Sequence, residues 1–388
     1  MTGSVMLDRA TTQTDDFVLT VHRGIPADWP GINAMGEARG HVFQTREFMG
    51  VWAETLGAGL DARFIDVRDH RGQMVMRLPL AIEMQDGISV LGFADQSCAD
   101  YNAPLLYPTG IEWTPARAAQ LWTAIESALP AIDKIVLDKM PAMVGDLVNP
   151  LHHLSSEDNP EACNGSNLNL PWPEIEATQA QLKTLKRKAR GLEKLGAVRF
   201  IIATDPVERQ RVLDRLLEQK QRRFEETLVP GFAESPASRL FFENATTLFA
   251  ATGNLHLAAL EVGGEIVATS WTLQMGTIVY ELMIGFEAGE WFKHSPGRVL
   301  NLRYLEWAKA QGFTYVDHGI GDEEWKRENT DTRVPLGRLI AARTAKGRRQ
   351  LARAALAARI RSLPLYEKLR PYKWIVKRAI AKRLGRAA

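Results

Sequence analysis

The chain has 388 residues, 45% hydrophobic and 24% charged, with 48 Lys and Arg against 46 Asp and Glu. That balance excludes a disordered or fibrous protein, and the length favours two domains over one core. The two cysteines, Cys98 and Cys163, cannot build a disulfide framework or a cysteine-rich zinc site, no His pair has metal-ligand spacing within a helix, and a reducing cytoplasm fits.

Residues 1–16, MTGSVMLDRATTQTDD, lack the basic patch and apolar run of a signal peptide and read as a frayed, disordered end. A first unit, 17–154, follows. Its strand ARFIDV from Ala62 leads into HRGQMVMRLPLAIEMQDGISVLGF, His70 to Phe93, which reads as strand, turn, strand. A loop, the amphipathic helix TPARAAQLWTAIESAL and the strand KIVLD complete it. Residues 155–177 are rich in turn formers and prolines and serve as the link between domains.

The second unit, 178–345, repeats the plan about 193 residues later. It opens with a helix over 178–195, for which Thr178 and Gln181 make a capping box and Leu182, Leu185, Ala189, Leu192 and Leu195 an apolar stripe. The outer face of that helix carries Lys183, Lys186, Arg187, Lys188, Arg190 and Lys194, which is either a solvated face or, as a crowd of like charges, a site for an anionic substrate. The strand VRFIIA and two helices precede LHLAALE and VGGEIVATSWTLQMGTIVYELMIGF, which again ends in Gly-Phe. Within it Glu281 is an acid in an apolar strand, which either faces solvent or lines a cleft where desolvation raises its pKa. The segment KHSPGRVL then starts a helix: Ser295 is read as its cap and Pro296 as its first residue. This leaves the amides of Gly297, Arg298 and Val299 for an anion, with Lys293 and the Arg298 side chain adding charge. The last strand, TYVD, runs into DHGIGDEEWKRE, a loop dense in charged and polar groups after a strand end. His318 there is either a proton shuttle or structural.

The order β-α-α-β-β-β-α-β, with a helix starting just after its fourth strand, is the plan of the Gcn5-related N-acetyltransferase (GNAT) fold. Together, LHLAALEVGGEIVATSW, IGFEAGEWFKHSPGRVLNLRYLEWA and FTYVDHGIGDEEWKRE resemble the BioF2-like acyltransferase domain, related to CelD-type polysaccharide proteins and to the FemAB peptidyltransferases. The resemblance implies an α/β fold of two tandem GNAT-like domains with mixed sheets, and acyl or aminoacyl transfer to an amine. It implies acetyl-CoA or another acyl-CoA as donor, although KHSPGRVL replaces the usual glycine-rich Q/R-x-x-G-x-G/A loop, and it calls for no metal. The family pattern D-x-G-x-G-D-x-x-[WY]-K falls on Asp317, Gly319, Gly321, Asp322, Trp325 and Lys326. From it, Asp322 is expected as base or amine anchor and Lys326 as the charge opposite an anion; Glu281 and His318, from their own places in the sequence, are the further catalytic candidates. Lys186, Arg187, Arg190 and Trp325 are expected to meet the acceptor, an amino sugar or envelope-polysaccharide precursor such as those of exopolysaccharide and holdfast assembly. Charged tRNA, the donor of Fem-like enzymes, is the alternative.

The remaining segment, 346–388, holds fourteen Lys and Arg against the single acid Glu367, so it carries +13 and the rest of the chain −11. Basic residues alternate there with Leu, Ile, Tyr and Trp374, the pattern of a helical tail on an anionic membrane surface at the inner face. Arg349 and Arg353, one turn apart, resemble half of a cyclic di-GMP signature, and a non-catalytic effector is the reading that follows from it. On either reading the tail lies off the core.

Overall fold

The computed structural model describes residues 9–13, 16–227 and 229–361. In the first unit come β1 (Arg9–Gln13), β2 (Phe17–His22), α1 (Arg46–Glu54), β3 (Asp61–Asp69), β4 (Met74–Gln85), β5 (Ile88–Phe93) and β6 (Leu105–Leu106). Then follow α2 (Pro115–Ser127), β7 (Lys134–Pro141) and a small hairpin of β8 (Met143–Val144) and β9 (Leu147–Val148). Helix α2 starts as its sequence dictates: Thr114 accepts from the Arg117 amide at 3.2 Å and Pro115 occupies the first turn. The expected frayed end is corrected in part, because Arg9–Gln13 pairs antiparallel with β2; residues 1–8 lie outside the described residues.

The link and the second unit comprise β10 (Glu157–Asp158), β11 (Cys163–Asn167), α3 (Trp172–Ala177), α4 (Leu182–Glu193), β12 (Val198–Ile202), α5 (Pro206–Thr227) and α6 (Pro236–Ala251). They continue with β13 (Leu255–Val262), β14 (Glu265–Met275), β15 (Ile278–Phe286), α7 (Pro296–Ala310), β16 (Tyr315–Ile320), α8 (Glu324–Asn329), β17 (Thr332–Val334), β18 (Leu336–Ala342) and α9 (Ala345–Arg361). The expected capping box at Thr178 does not form: Gln181 precedes α4 in a left-handed conformation and its side chain caps nothing.

The two units repeat each other in three dimensions. Three antiparallel strands, β3-β4-β5 and β13-β14-β15, are each followed by a helix and by one parallel partner, β7 or β16. Neither copy closes its own sheet. Strand β18, from the far end of the chain, pairs with β7, while β11, from the link, pairs with β16. The sheets therefore run β1-β2-β3-β4-β5-β7-β18-β10, with β6 beside β4, and β12-β13-β14-β15-β16-β11-β17. The link is thus part of both sheets, and the second unit lends its last strand to the first.

One core lies between the sheets and takes in both lobes, with Phe48 of α1 edge-on to Phe241 of α6 at 5.2 Å between ring centroids. Two further cores back the outer faces, one under α2 and one under α4 and α7.

Helix α9 is docked against the first sheet, which corrects the expectation of a tail wholly off the core. Lys134 Nζ donates to Gln350 Oε1 at 2.7 Å, and a Cβ on Gly347 would lie 2.1 Å from the Asp133 carbonyl oxygen. Gly347→Ala should therefore force helix and strand apart and lower stability by about 1–3 kcal/mol, read as a drop in melting temperature. Arg349 and Arg353 are exposed on α9, whereas residues 362–388, with Trp374, lie outside the described residues. No described helix is long and apolar enough to cross a membrane.

Candidate active site where two strands part

The two parallel strands of the second sheet are joined over only three residue pairs, Ile278 with Tyr315, Val279 with Val316 and Tyr280 with Asp317. Beyond Tyr280, β15 continues along β14 as far as Phe286, and β16 continues along β11 to Ile320. The edge of Leu282–Phe286 that faces β16 thus has no strand partner among the described residues, and a bulge in β15 at Leu282, between the pairs Trp271–Met283 and Thr272–Glu281, lies beside the parting point. A free strand edge offers amides and carbonyls to a ligand that can lie along it.

Buried polar groups mark the apex of this gap. His318 Nδ1 lies 2.9 Å from Glu281 Oε2, and its Nε2 lies 3.1 Å from the Ser166 hydroxyl on β11. Ser270 donates to the other Glu281 oxygen at 2.8 Å. The His318 and Glu281 side chains are 0% and 2% exposed, so the pair is shielded from solvent. Trp325 stands edge-on to the His318 ring at 6.0 Å. Glu281 is buried and does not face solvent, and His318 is its partner.

On the opposite face of the same strands, a second polar cluster closes the lobe interface. The Tyr101 hydroxyl donates to Asp317 Oδ2 at 2.6 Å, and the Gly319 amide donates to Asp317 Oδ1 at 2.8 Å. Asp100 presses its carboxylate onto Gly319, where a Cβ would lie only 2.6 Å from Oδ2, so a side chain at 319 would expel it. Burial, with the Asp317 charge next in size, pushes the Asp100 pKa up to about 7. Burial likewise raises Asp317 to about 6. His41 stacks on Tyr101 at 4.3 Å, and burial holds its pKa down to about 4.

The start of α7 differs from the sequence expectation in its details. Ser295 does not cap the helix: it sits in a left-handed conformation, and its hydroxyl receives the Lys188 ammonium at 2.7 Å. The Val299 amide bonds to the Ser295 carbonyl at 3.1 Å, leaving those of Gly297 and Arg298 ahead of the first helical bond. The Arg298 side chain turns away to the Ala180 carbonyl at 2.5 Å and to Asn329 Oδ1 at 2.7 Å. It clamps the turn before α4 to the end of α8. Arg298→Ala should accordingly lower stability by about 1–3 kcal/mol, measured by denaturant unfolding, by removing two charge-assisted hydrogen bonds that join these turns.

Several expected site residues are not brought to the gap. Asp322 is exposed and ion-paired with Arg327 at 3.0 Å and Arg333 at 3.8 Å. Lys186 is engaged by Glu176 at 2.7 Å, while Lys293, Arg187 and Arg190 are exposed. Lys326 is buried and donates to the Ile320 carbonyl at 2.6 Å, so it braces the loop after β16. Ser166, Ser270, Asp100 and Tyr101 were not anticipated as site residues.

The corresponding gap in the first copy is filled. β5 and β7 pair in parallel at Val90 with Lys134 and Leu91 with Ile135; farther along β7 the Asn102 amide donates to the Lys139 carbonyl at 3.0 Å. Lys139 Nζ binds Asp95 at 2.8 Å across the same opening. The loop from Ala94 to Leu105 thus occupies the space that is open in the second copy.

Residues 179–327 match the family model described as an acetyltransferase (GNAT) domain. The crystal structure of FemX is similar with a TM-score of 0.54 at 12% identity, over 81% of this chain and 94% of that one. L-PGS from Bacillus licheniformis gives 0.46 at 15% identity, over 77% and 92%. A tandem GNAT protein from the clavulanic acid biosynthesis pathway gives 0.43 at 12% identity, over 79% and 91%. No curated protein matches the chain.

Proposed function

We propose, on the premise that the chain is a GNAT-type acyltransferase, that it moves an acyl group from acyl-CoA to a primary amine at the parting of β15 and β16. The observation that supports this most directly is the buried Glu281–His318 pair at the apex of the gap, beside the unpaired edge of β15. The donor fits the residues present. The free amides of Gly297 and Arg298, with Lys188 beside them, suit its pyrophosphate, and the open edge of Leu282–Phe286 suits the amide-bearing arm. Gln219, Arg222 and Arg223 of α5 form with Ile284, Gly285 and Phe286 a small pocket next to that edge.

In this reading Glu281 holds the Nδ1–H tautomer of His318, which leaves Nε2 as a proton acceptor linked to Ser166. Attack by the neutral amine forms the C–N bond and breaks the C–S bond of the thioester. The amine proton passes to the dyad and from there to the departing thiolate. Backbone amides on the free edge of β15 stabilise the oxyanion formed in between. The second copy carries the chemistry and the first forms the acceptor wall. The acceptor is an amino sugar or an envelope-polysaccharide precursor, as the sequence resemblance implies, and the basic α9 and the residues after it are the site for an anionic partner, a membrane or cyclic di-GMP.

The test is thiol release from acetyl-CoA in the presence of a panel of free, nucleotide-linked and lipid-linked amino sugars. Turnover with one of them, and an N-acetylated product by mass spectrometry, is the expected result. Transfer only from charged tRNA would replace acyl-CoA by an aminoacyl donor, and no transfer from either would leave the scaffold as a binding protein.

A further inference from the structure

We propose that the outer face of α4, with the 3-10 helix Gly289–His294 beside it, is a docking surface for an anionic lipid bilayer. Lys183, Arg187, Arg190 and Lys194 recur at four-, three- and four-residue intervals, so they form one stripe along the helix, and all four are exposed. None of them makes an ion pair among the described residues. Several other surface cations are paired: Arg199 and Arg211 share Glu261, Arg343 holds Glu126, and Arg327 holds Asp322. Like charges one turn apart destabilise a helix, so an unneutralised stripe on this chain points to an outside anion.

Apolar groups beside the stripe favour a bilayer over a nucleic acid. Phe292 is 67% exposed on the 3-10 helix, and Leu195 is 52% exposed just past the end of α4. The two helices form one surface, since a Cβ on Gly191 of α4 would lie 2.8 Å from His294 Nδ1 and Lys188 reaches Ser295. Cations flanked by protruding aliphatic and aromatic side chains match a headgroup layer with acyl chains beneath it, whereas Leu195 offers nothing for a base to stack on. The surface adjoins the start of α7, so docking would set the mouth of the gap at the membrane. This inference is independent of the chemistry at Glu281 and His318.

The experiment uses the full chain and vesicles of phosphatidylcholine with and without phosphatidylglycerol, at low and high salt. Wild type should sediment with the anionic vesicles only, and release as salt rises. The combined variant Lys183→Gln, Arg187→Gln, Arg190→Gln and Lys194→Gln should melt no earlier than wild type yet partition at least tenfold less. Phe292→Cys carrying an environment-sensitive dye, in a Cys98→Ser background, should shift to the blue on anionic vesicles, a readout that binding through the tail alone does not produce. Unchanged partition of the combined variant would overturn the proposal. So would a dye that stays in water on vesicle-bound protein, or wild type that ignores vesicles or is drawn off them by bulk tRNA.

Discussion

Glu281→Gln should lower kcat by about 10²–10⁴-fold while the affinity for the acyl donor changes little, which is the range expected when a proton acceptor is lost. Glutamine keeps the length of the side chain and can still accept from Ser270 and meet His318, so the variant should fold. What it loses is the negative charge that fixes the imidazole and stabilises it once protonated. His318→Gln should be at least as slow, because it removes the proton acceptor itself; His318→Ala is the poorer test, since it would strand a carboxylate that is 2% exposed. Asp322→Asn should stay near wild-type turnover, because Asp322 points to solvent and to two arginines. The sequence reading favoured Asp322, so the three variants separate the two assignments. Full activity in Glu281→Gln and His318→Gln would remove the dyad from the mechanism.

How much of this was legible beforehand depends on the distance over which each feature is encoded. The doubled plan, its hairpins and the helix after each fourth strand follow from local alternation, amphipathic spacing and turn residues, and the structure has them in that order. The exchange of β11 and β18 was not legible, because NGSN at 164–167 and LGRLIAA at 336–342 are too short or too small to declare which sheet they join. Ser166 was hidden for the same reason: it lies in a segment whose glycine and asparagines read as a link. Glu281 and His318 each carried a signal of their own, an acid among apolar residues and a histidine at a strand end. That they face each other follows only from the parallel register of β15 and β16, a contact 37 residues apart. Asp322 illustrates the converse. A family pattern marks the position, but the side chain there is free to turn outward, and Arg327 and Arg333 draw it that way.

Asp100→Asn should raise stability at pH 8 by a few kcal/mol, on the order of 1.4 kcal/mol for each unit by which the carboxyl is displaced from its ordinary value. Asp100 comes from the first lobe and Asp317 from the second. Burial raises both, to about 7 and about 6, and the charge of Asp317 adds to the shift of Asp100. An acid whose folded pKa lies above its unfolded value binds its proton more tightly when folded. Its contribution is therefore fully present below about pH 4 and is lost as pH rises through about 7. Wild type should lose stability across that window, and Asp100→Asn should flatten the loss because its amide remains neutral while still accepting from the Ile320 amide. Asp317→Asn is the less clean partner, since Asp317 also accepts from Tyr101 and from the Gly319 amide. The measurement is denaturant unfolding of wild type and Asp100→Asn at half-unit steps from pH 5 to pH 8. If the two curves run parallel over that range, the carboxylate pair is not held close and dry between the lobes, and the interface must open there in solution.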